Sequence, residues 1–325
     1  MSLQLAKWDS GGILLTYWCN AACADCYENS SPRKNSILPV EDAKEYLREL
    51  RQLGCTGPSF HFAGGEPFYN YKHLMDCFKA AEEEGMLPLG KLETNAFWCT
   101  NDELVRERLT EIKRFGIVEL LVSSDVFHQE FVPIQRVQRA VQIGREVLGE
   151  KRVRVRFWEF LQNPIDVMKL TKAQKVQVFR DELTQRPERI VGRAAKALSH
   201  LVKKHPIEIF AGSNCAGPIL QSRHIHIDPY GNVFPSGCAG LILGNAKKQK
   251  LSKIYETFEY HKHPILKTLV EHGPVPLLEE AIQYGFEDDR EGYSTKCHLC
   301  FETRTFFWEQ GLYSDAVGPG EVYTD

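Results

Sequence analysis

Apolar runs and amphipathic stretches take turns along the first two thirds of the chain. Gly12 to Trp18 is an apolar run that predicts a buried strand. Val40, Ala43, Leu47, Leu50 and Leu53 then recur at helical spacing, and Gly54 is placed to end that helix. A strand over Pro58 to Phe62 follows, then a helix whose apolar side is Tyr71, Leu74, Cys77, Phe78 and Ala81. Leu87 to Leu92 predicts a third strand with a polar tip, Glu93-Thr94-Asn95. The capping pattern Thr100 to Glu103 opens a helix carrying Leu104, Val105, Leu109, Ile112 and Phe115, and Gly116 closes it. Ile117 to Val122 predicts a fourth strand, and Val137, Ala140, Val141, Gly144, Val147 and Leu148 the next helix. Arg152 to Trp158 alternates strictly, which puts Arg152, Arg154 and Arg156 on one face. A further helix is predicted from Thr171 to about Gln185, and Ile190 to Ala194 precedes another that ends near Lys204.

Strand and helix thus alternate about six times, a pattern that implies a parallel sheet with right-handed crossovers. The expected fold is α/β, a partial (β/α)6 TIM-like barrel over residues 1–204, with polar residues gathered at the strand C-terminal ends. From Pro206 the alternation stops. His224 to Cys238 reads as a β-hairpin turned by Asp228-Pro-Tyr-Gly231. Residues 205–325 are therefore expected to form a smaller second region.

Composition narrows the picture modestly. With 43% hydrophobic and 26% charged residues the chain has the make-up of a globular protein. A formal net charge of −3 argues against nucleic acid as a partner, and Lys203-Lys204 and Lys247-Lys248 are read as solvated surface. No apolar run has transmembrane length and no signal peptide is visible, so a cytoplasmic protein without membrane contact is expected.

In such a reducing setting the 10 cysteines are ligands sooner than bridges. Cys19, Cys23 and Cys26 lie at C-x3-C-x2-C directly after the first strand. Three thiolates in one short loop can hold three irons of a cubane cluster and leave the fourth iron open to a ligand. A zinc knuckle or a disulfide framework is the alternative, but no fourth Cys or His lies nearby and no secretion signal is present. Cys55, Cys77 and Cys99 stand singly and are read as small buried apolar residues. Cys215, Cys238, Cys297 and Cys300 occupy the last third and point to a second metal site, with His224, His226 and His298 as possible substitutes for a thiolate. Gly64-Gly65-Glu66-Pro67 ends the second strand, where two glycines permit close approach of the backbone to a ligand and Glu66 can accept from an ammonium group. Ser123 and Asp125 follow the fourth strand and suit ribose or amino-acid contacts, or a helix N-cap.

In this order and on these elements, the stretches resemble the radical S-adenosylmethionine (SAM) enzymes. The resemblance implies a [4Fe–4S] cluster on Cys19, Cys23 and Cys26 with one open iron, which chelates SAM and cleaves it to a 5′-deoxyadenosyl radical that abstracts hydrogen from a substrate. It assigns SAM binding to Gly64, Gly65, Glu66, Pro67, Thr94, Asn95, Ser123, Asp125, Arg156, Gly192 and Arg193, and no catalytic residue beyond the cluster; it also places Ile190 to Ala194 at the sixth strand, with Gly192 close to the adenosine and Arg193 anchoring a polar group. One departure is Asp25, where the family usually has an aromatic residue near the adenine; Tyr27 follows Cys26 instead. The last third is similar to SPASM or twitch extensions. These imply one auxiliary iron–sulfur cluster on Cys215, Cys238, Cys297 and Cys300, with structural zinc as the alternative, although the full SPASM pattern has seven cysteines.

Such extensions favour modification of a peptide or protein, with an external flavodoxin- or ferredoxin-like electron donor. The first strand starts almost at the N-terminus, so a separate peptide-recognition protein is expected. A small-metabolite substrate is the runner-up, and a non-catalytic iron–sulfur or zinc protein the reading from another class.

Overall fold

The computed structural model describes residues 5–324. Its frame is one eight-stranded sheet in the order β5-β4-β3-β2-β1-β6-β7-β8. The strands are β1 (Ser10–Leu14), β2 (Phe60–Ala63), β3 (Leu89–Thr94), β4 (Ile117–Ser123), β5 (Val153–Arg156), β6 (His224–Ile227), β7 (Asn232–Pro235) and β8 (Gly244–Asn245). The first six are mutually parallel, and β7 and β8 return antiparallel. Helices Val40–Leu53, Tyr71–Glu83, Asp102–Phe115 and Ile134–Leu148 make the crossovers. Their apolar faces meet the sheet in one core that includes Leu47, Phe62, Phe78, Leu92, Leu109, Leu120 and Ile225. Gly54 ends the first helix in the left-handed conformation, at φ 100°. Asn101, one residue later than the expected capping pattern begins, caps the third with its side-chain oxygen.

The sixth parallel strand is not where the alternation put it. Ile190 and Gly192 have φ of 53° and 62°, a backbone that cannot join a ladder. The sixth strand is instead β6, the first arm of the expected hairpin, and it pairs with β1 rather than β5. One sheet therefore runs across residue 204. Residues between Phe157 and Val202, including the helix Lys172–Gln185, form a second apolar cluster with the Cys19–Cys26 loop. In that cluster Phe127, Phe160, Phe179, Ile190 and Ala194 are buried with Cys19 and Cys23.

The sheet is strongly curved. β5 and β6 stand five strand spacings apart, about 24 Å in a flat sheet, yet Arg156 and His226 line the same cavity. That curvature is what a partial barrel requires.

Candidate active site

The cysteine loop is held from both sides. The amide of Cys19 donates to the Ser31 carbonyl (3.2 Å) and that of Cys26 to the Cys23 carbonyl (3.1 Å). Gly192-Arg193 closes over it. The Arg193 amide donates to the Cys26 carbonyl (3.0 Å), and its guanidinium to the carbonyls of Cys23 (3.0 Å), Asn29 (3.0 Å) and Ser30 (2.7 Å). A Cβ on Gly192 would stand 2.4 Å from the Cys26 carbonyl oxygen. Gly192 was expected to approach the adenosine and Arg193 to anchor a polar group; the contacts the two make within the protein are with the loop backbone.

Gly64 and Gly65 show the same division of labour. A Cβ on Gly65 would lie 1.8 Å from the Trp18 carbonyl oxygen, and the Glu66 amide donates to that oxygen at 2.9 Å. The glycines dock the end of β2 on the strand of chain entering the cysteine loop. Both also line the cavity.

Glu66 is fully buried and its carboxylate meets three protein donors. Oε1 accepts from the Phe68 amide (3.1 Å) and the Thr94 hydroxyl (2.9 Å), and Oε2 from the Asn95 amide (2.8 Å). Burial pushes this carboxyl up to about 7 against those donors. One acceptor position is left on Oε2. Glu66 thus locks β2 to β3, while the Asn95 side-chain amide donates to Cys19 Sγ at 3.5 Å and to Asn20 Oδ1 at 2.8 Å.

Asp125 takes the N-cap position. Its Oδ1 accepts from the amides of Phe127 and His128, and the His128 ring approaches both its oxygens at 2.7 and 2.8 Å. Burial alone would lower the His128 imidazole, but the Asp125 carboxylate raises it to about 9. Ser123 and Arg156 are cross-strand partners at the ends of β4 and β5, and both face the cavity.

These parts enclose a cavity of about 620 Å³, a size suited to a cofactor-sized ligand. Cys19, Cys23, Cys26, Gly64, Gly65, Pro67, Thr94, Asn95, Ser123 and Arg156 all border it. Burial raises all three thiols above their ordinary range, Cys19 and Cys23 the most, so a bound cation is what would keep them as thiolates. The donor set therefore fits a metal cluster. Among the carboxyls on the cavity wall, Asp25 was noted only as the departure from an aromatic residue, and Glu28 was passed over. Asp25 Oδ1 is buried without a hydrogen-bond partner, and burial with the charge of Asp125 pushes the group up to about 7. Burial also raises Glu28 to about 7, and it accepts from the Tyr27 hydroxyl at 2.8 Å.

A second cysteine group forms where the hairpin meets the helix Lys296–Glu309. Cys215, Cys238, Cys297 and Cys300 lie within electrostatic reach of one another, and burial pushes Cys215 up to about 12 and Cys238 to about 11. Arg304, buried and one helical turn beyond Cys300, places its cation beside Cys238 and Cys300 and donates to the Ala239 carbonyl at 3.0 Å. Its spacing from Cys300 is the signal sequence reasoning passed over. Of the three histidines weighed as stand-ins for a thiolate, His224 and His226 lie on β6 and border the main cavity with His61.

A curved, mostly parallel sheet with a three-cysteine loop at its strand C-terminal ends defines the class of site. Residues 13–153 match the family model of the Radical SAM superfamily. Over 134 residues the chain is 28% identical to the "Putative peptide biosynthesis protein YydG" of Bacillus subtilis (strain 168), covering 39% of each. Over 119 residues it is 29% identical to the S-adenosylmethionine-dependent nucleotide dehydratase RSAD2 of Danio rerio, covering 35% of this chain and 30% of that one. The matches thus span well under half the length of these curated relatives. Among solved structures, BtrN in complex with AdoMet and 2-DOIA superposes with a TM-score of 0.48 at 15% identity, covering 82% of this chain and 88% of that one. Streptococcus suis SuiB bound to the precursor peptide SuiA gives a TM-score of 0.40 at 14% identity, with coverage of 90% and 76%. Among the described residues no helix is long and apolar enough to cross a membrane.

Proposed function

We propose that the chain is a radical SAM enzyme that modifies a peptide or protein. One observation carries the reading: the three thiols of a clamped loop, two buried and one half-buried, share a single cavity with polar groups from the ends of four parallel strands. Cys19, Cys23 and Cys26 would hold a [4Fe–4S] cluster with one open iron, which would supply the electron that cleaves SAM to methionine and a 5′-deoxyadenosyl radical able to take a hydrogen atom from a substrate C–H bond.

The chain's own residues bind, orient and exclude water. The Asn95 side-chain N–H directed at Cys19 Sγ stabilises that sulfur as a thiolate. The remaining acceptor position on Glu66 suits an ammonium donor, and Arg156 with Ser123 suits a carboxylate. Asp25 takes the part left open by the missing aromatic residue, its orphaned oxygen accepting an N–H or O–H of the nucleoside. Cys215, Cys238, Cys297 and Cys300, which lie within electrostatic reach of one another, hold an auxiliary iron–sulfur cluster. Residues 1–204 and 205–325 then divide the chain by cluster. The peptide substrate rests on the name of the Bacillus subtilis relative. An external flavodoxin- or ferredoxin-like donor and a separate peptide-recognition protein complete the expected partners.

Anaerobic reconstitution followed by SAM and a strong reductant tests this reading. About eight irons per chain and formation of 5′-deoxyadenosine are expected; intact SAM with a fully loaded cysteine loop would refute the enzymatic reading. A short peptide encoded beside the gene, altered in mass by the enzyme, supports the peptide substrate over a small metabolite.

A further inference from the structure

We infer that His61, His224 and His226 form a binding site for a divalent transition-metal ion such as zinc, with one coordination position open to the cysteine-lined cavity. Strand register builds it. Gly12 on β1 pairs with His61 of β2 on one side and with His226 of β6 on the other, and Ser10 pairs with His224. His224 and His226 are two residues apart on one strand, so both point to the same face. One ring nitrogen from each of the three lies within 4.8 Å of the others. The rings of His61 and His224 stack at 5.0 Å, and His226 meets both edge-on at 5.3 and 5.1 Å. Gly12 makes the room: a Cβ there would stand 2.5 Å from the His61 ring and 2.7 Å from that of His226.

The surroundings are those of ligands. Metal-binding imidazoles usually have their second nitrogen held by a carbonyl or hydroxyl. Here the His224 Nδ1 bonds the Ser10 hydroxyl, and His61 bonds the Gly11 carbonyl. His226 Nδ1 is buried with no hydrogen-bond partner, an exception in an interior where polar groups are normally satisfied. Burial lowers all three imidazoles, which keeps them in the neutral form that ligates a metal. Lys91 faces the group, but Glu93 pairs with Lys91 and offsets its charge. Packing alone does not explain three adjacent imidazoles where apolar side chains would fill the barrel without any desolvation cost.

Three histidines with an open position are the arrangement of a Lewis-acid site rather than a closed structural one. All three border the same cavity as Cys19 and Arg156, deeper along the strands than the cysteine loop. Resting on the radical SAM reading, the open position would hold a carbonyl or carboxylate oxygen of the substrate and so fix which C–H bond faces the SAM site.

The test uses the full chain, reconstituted anaerobically with iron and sulfide, equilibrated with Zn²⁺ and desalted. Wild-type protein should retain about one zinc per chain more than His226→Phe and His224→Asn, with nitrogen or oxygen neighbours at about 2.0–2.1 Å in zinc-edge X-ray absorption. Iron content at the wild-type level in either variant shows that it has folded. Equal zinc in wild type and both variants, or a first shell of sulfur alone, overturns the inference. Formation of 5′-deoxyadenosine without substrate, measured on the same preparation, reports on the cysteine site separately: its presence without histidine-dependent zinc removes only the metal site, and its absence with zinc bound removes only the radical reading.

Discussion

A methyl group at Gly65 would occupy the place of the Trp18 carbonyl, 1.8 Å away. Gly65→Ala should therefore push β2 off the cysteine loop at a cost of at least about 3 kcal/mol, and the measurement is thermal melting together with iron content, both of which should fall. The Gly-Gly-Glu-Pro stretch was legible as a site, but its partner was not. Which atom a glycine makes room for depends on a neighbouring strand, and nothing in the stretch itself names Trp18. Asp25 reads the other way round. In the sequence it was a missing aromatic residue; in the fold it is a carboxyl with one orphaned oxygen on the cavity wall. If that oxygen accepts a hydrogen bond from SAM, Asp25→Ala should weaken SAM binding roughly ten- to hundredfold, the worth of one charge-assisted bond. Equilibrium dialysis on reconstituted protein of unchanged iron content checks it, and unaltered affinity would remove Asp25 from the cofactor contacts.

At the scale of elements, local signals survived wherever they closed locally. The first helix stops at Gly54 as its spacing predicts, and Thr171 caps the helix Lys172–Gln185 through its hydroxyl. The segment from Ile190 to Arg193 failed as a strand because two of its residues need positive φ. Its role is visible only in space: Arg193 grips three carbonyls of the cysteine loop with one planar fork. Arg193→Lys keeps the charge but not the fork, so the loop-bound cluster should bleach in air several times faster while the melting temperature changes little. Bleaching at the wild-type rate would assign the clamp to the amide of Arg193 alone. His263 supports a different element. Its Nδ1 accepts from the amides of Ile265 and Leu266 at 3.2 and 3.1 Å, and its Nε2 reaches the Ile242 carbonyl at 2.8 Å. Burial lowers its pKa, so between the ordinary histidine value and the folded one the unfolded chain binds more protons. Stability from this group is complete above about pH 6.5 and is lost as the pH falls, at up to about 1.4 kcal/mol per pH unit. His263→Asn keeps an acceptor that does not titrate, and its melting temperature should fall less than that of wild type between pH 7.5 and 5.5.

The whole molecule is joined at β1. In sequence the barrel and the last third look separable, because strand–helix alternation ends near residue 204 and the second cysteine group begins after it. Pairing between β1 and β6, more than 200 residues apart, leaves no periodic trace, and neither does the gathering of His61 with His224 and His226. The sheet thus crosses residue 204, and so does the cavity, which His224 and His226 line with Cys19. Ile225, Ile227, Val233 and Phe234 are buried in the same core as Ile13 and Leu47. The Thr324 carbonyl accepts from Asn29 and Lys34 beside the cysteine loop. A fragment ending at residue 204 would expose one side of β1 along its length and uncover that apolar core. It should aggregate and take up well under four irons per chain on reconstitution, although it contains Cys19, Cys23, Cys26 and every strand-end residue assigned to SAM. Sedimentation and iron analysis of the fragment decide the matter. A soluble monomer with a full cubane would mean that β1 needs only β2, and that the hairpin was added to a barrel already able to fold.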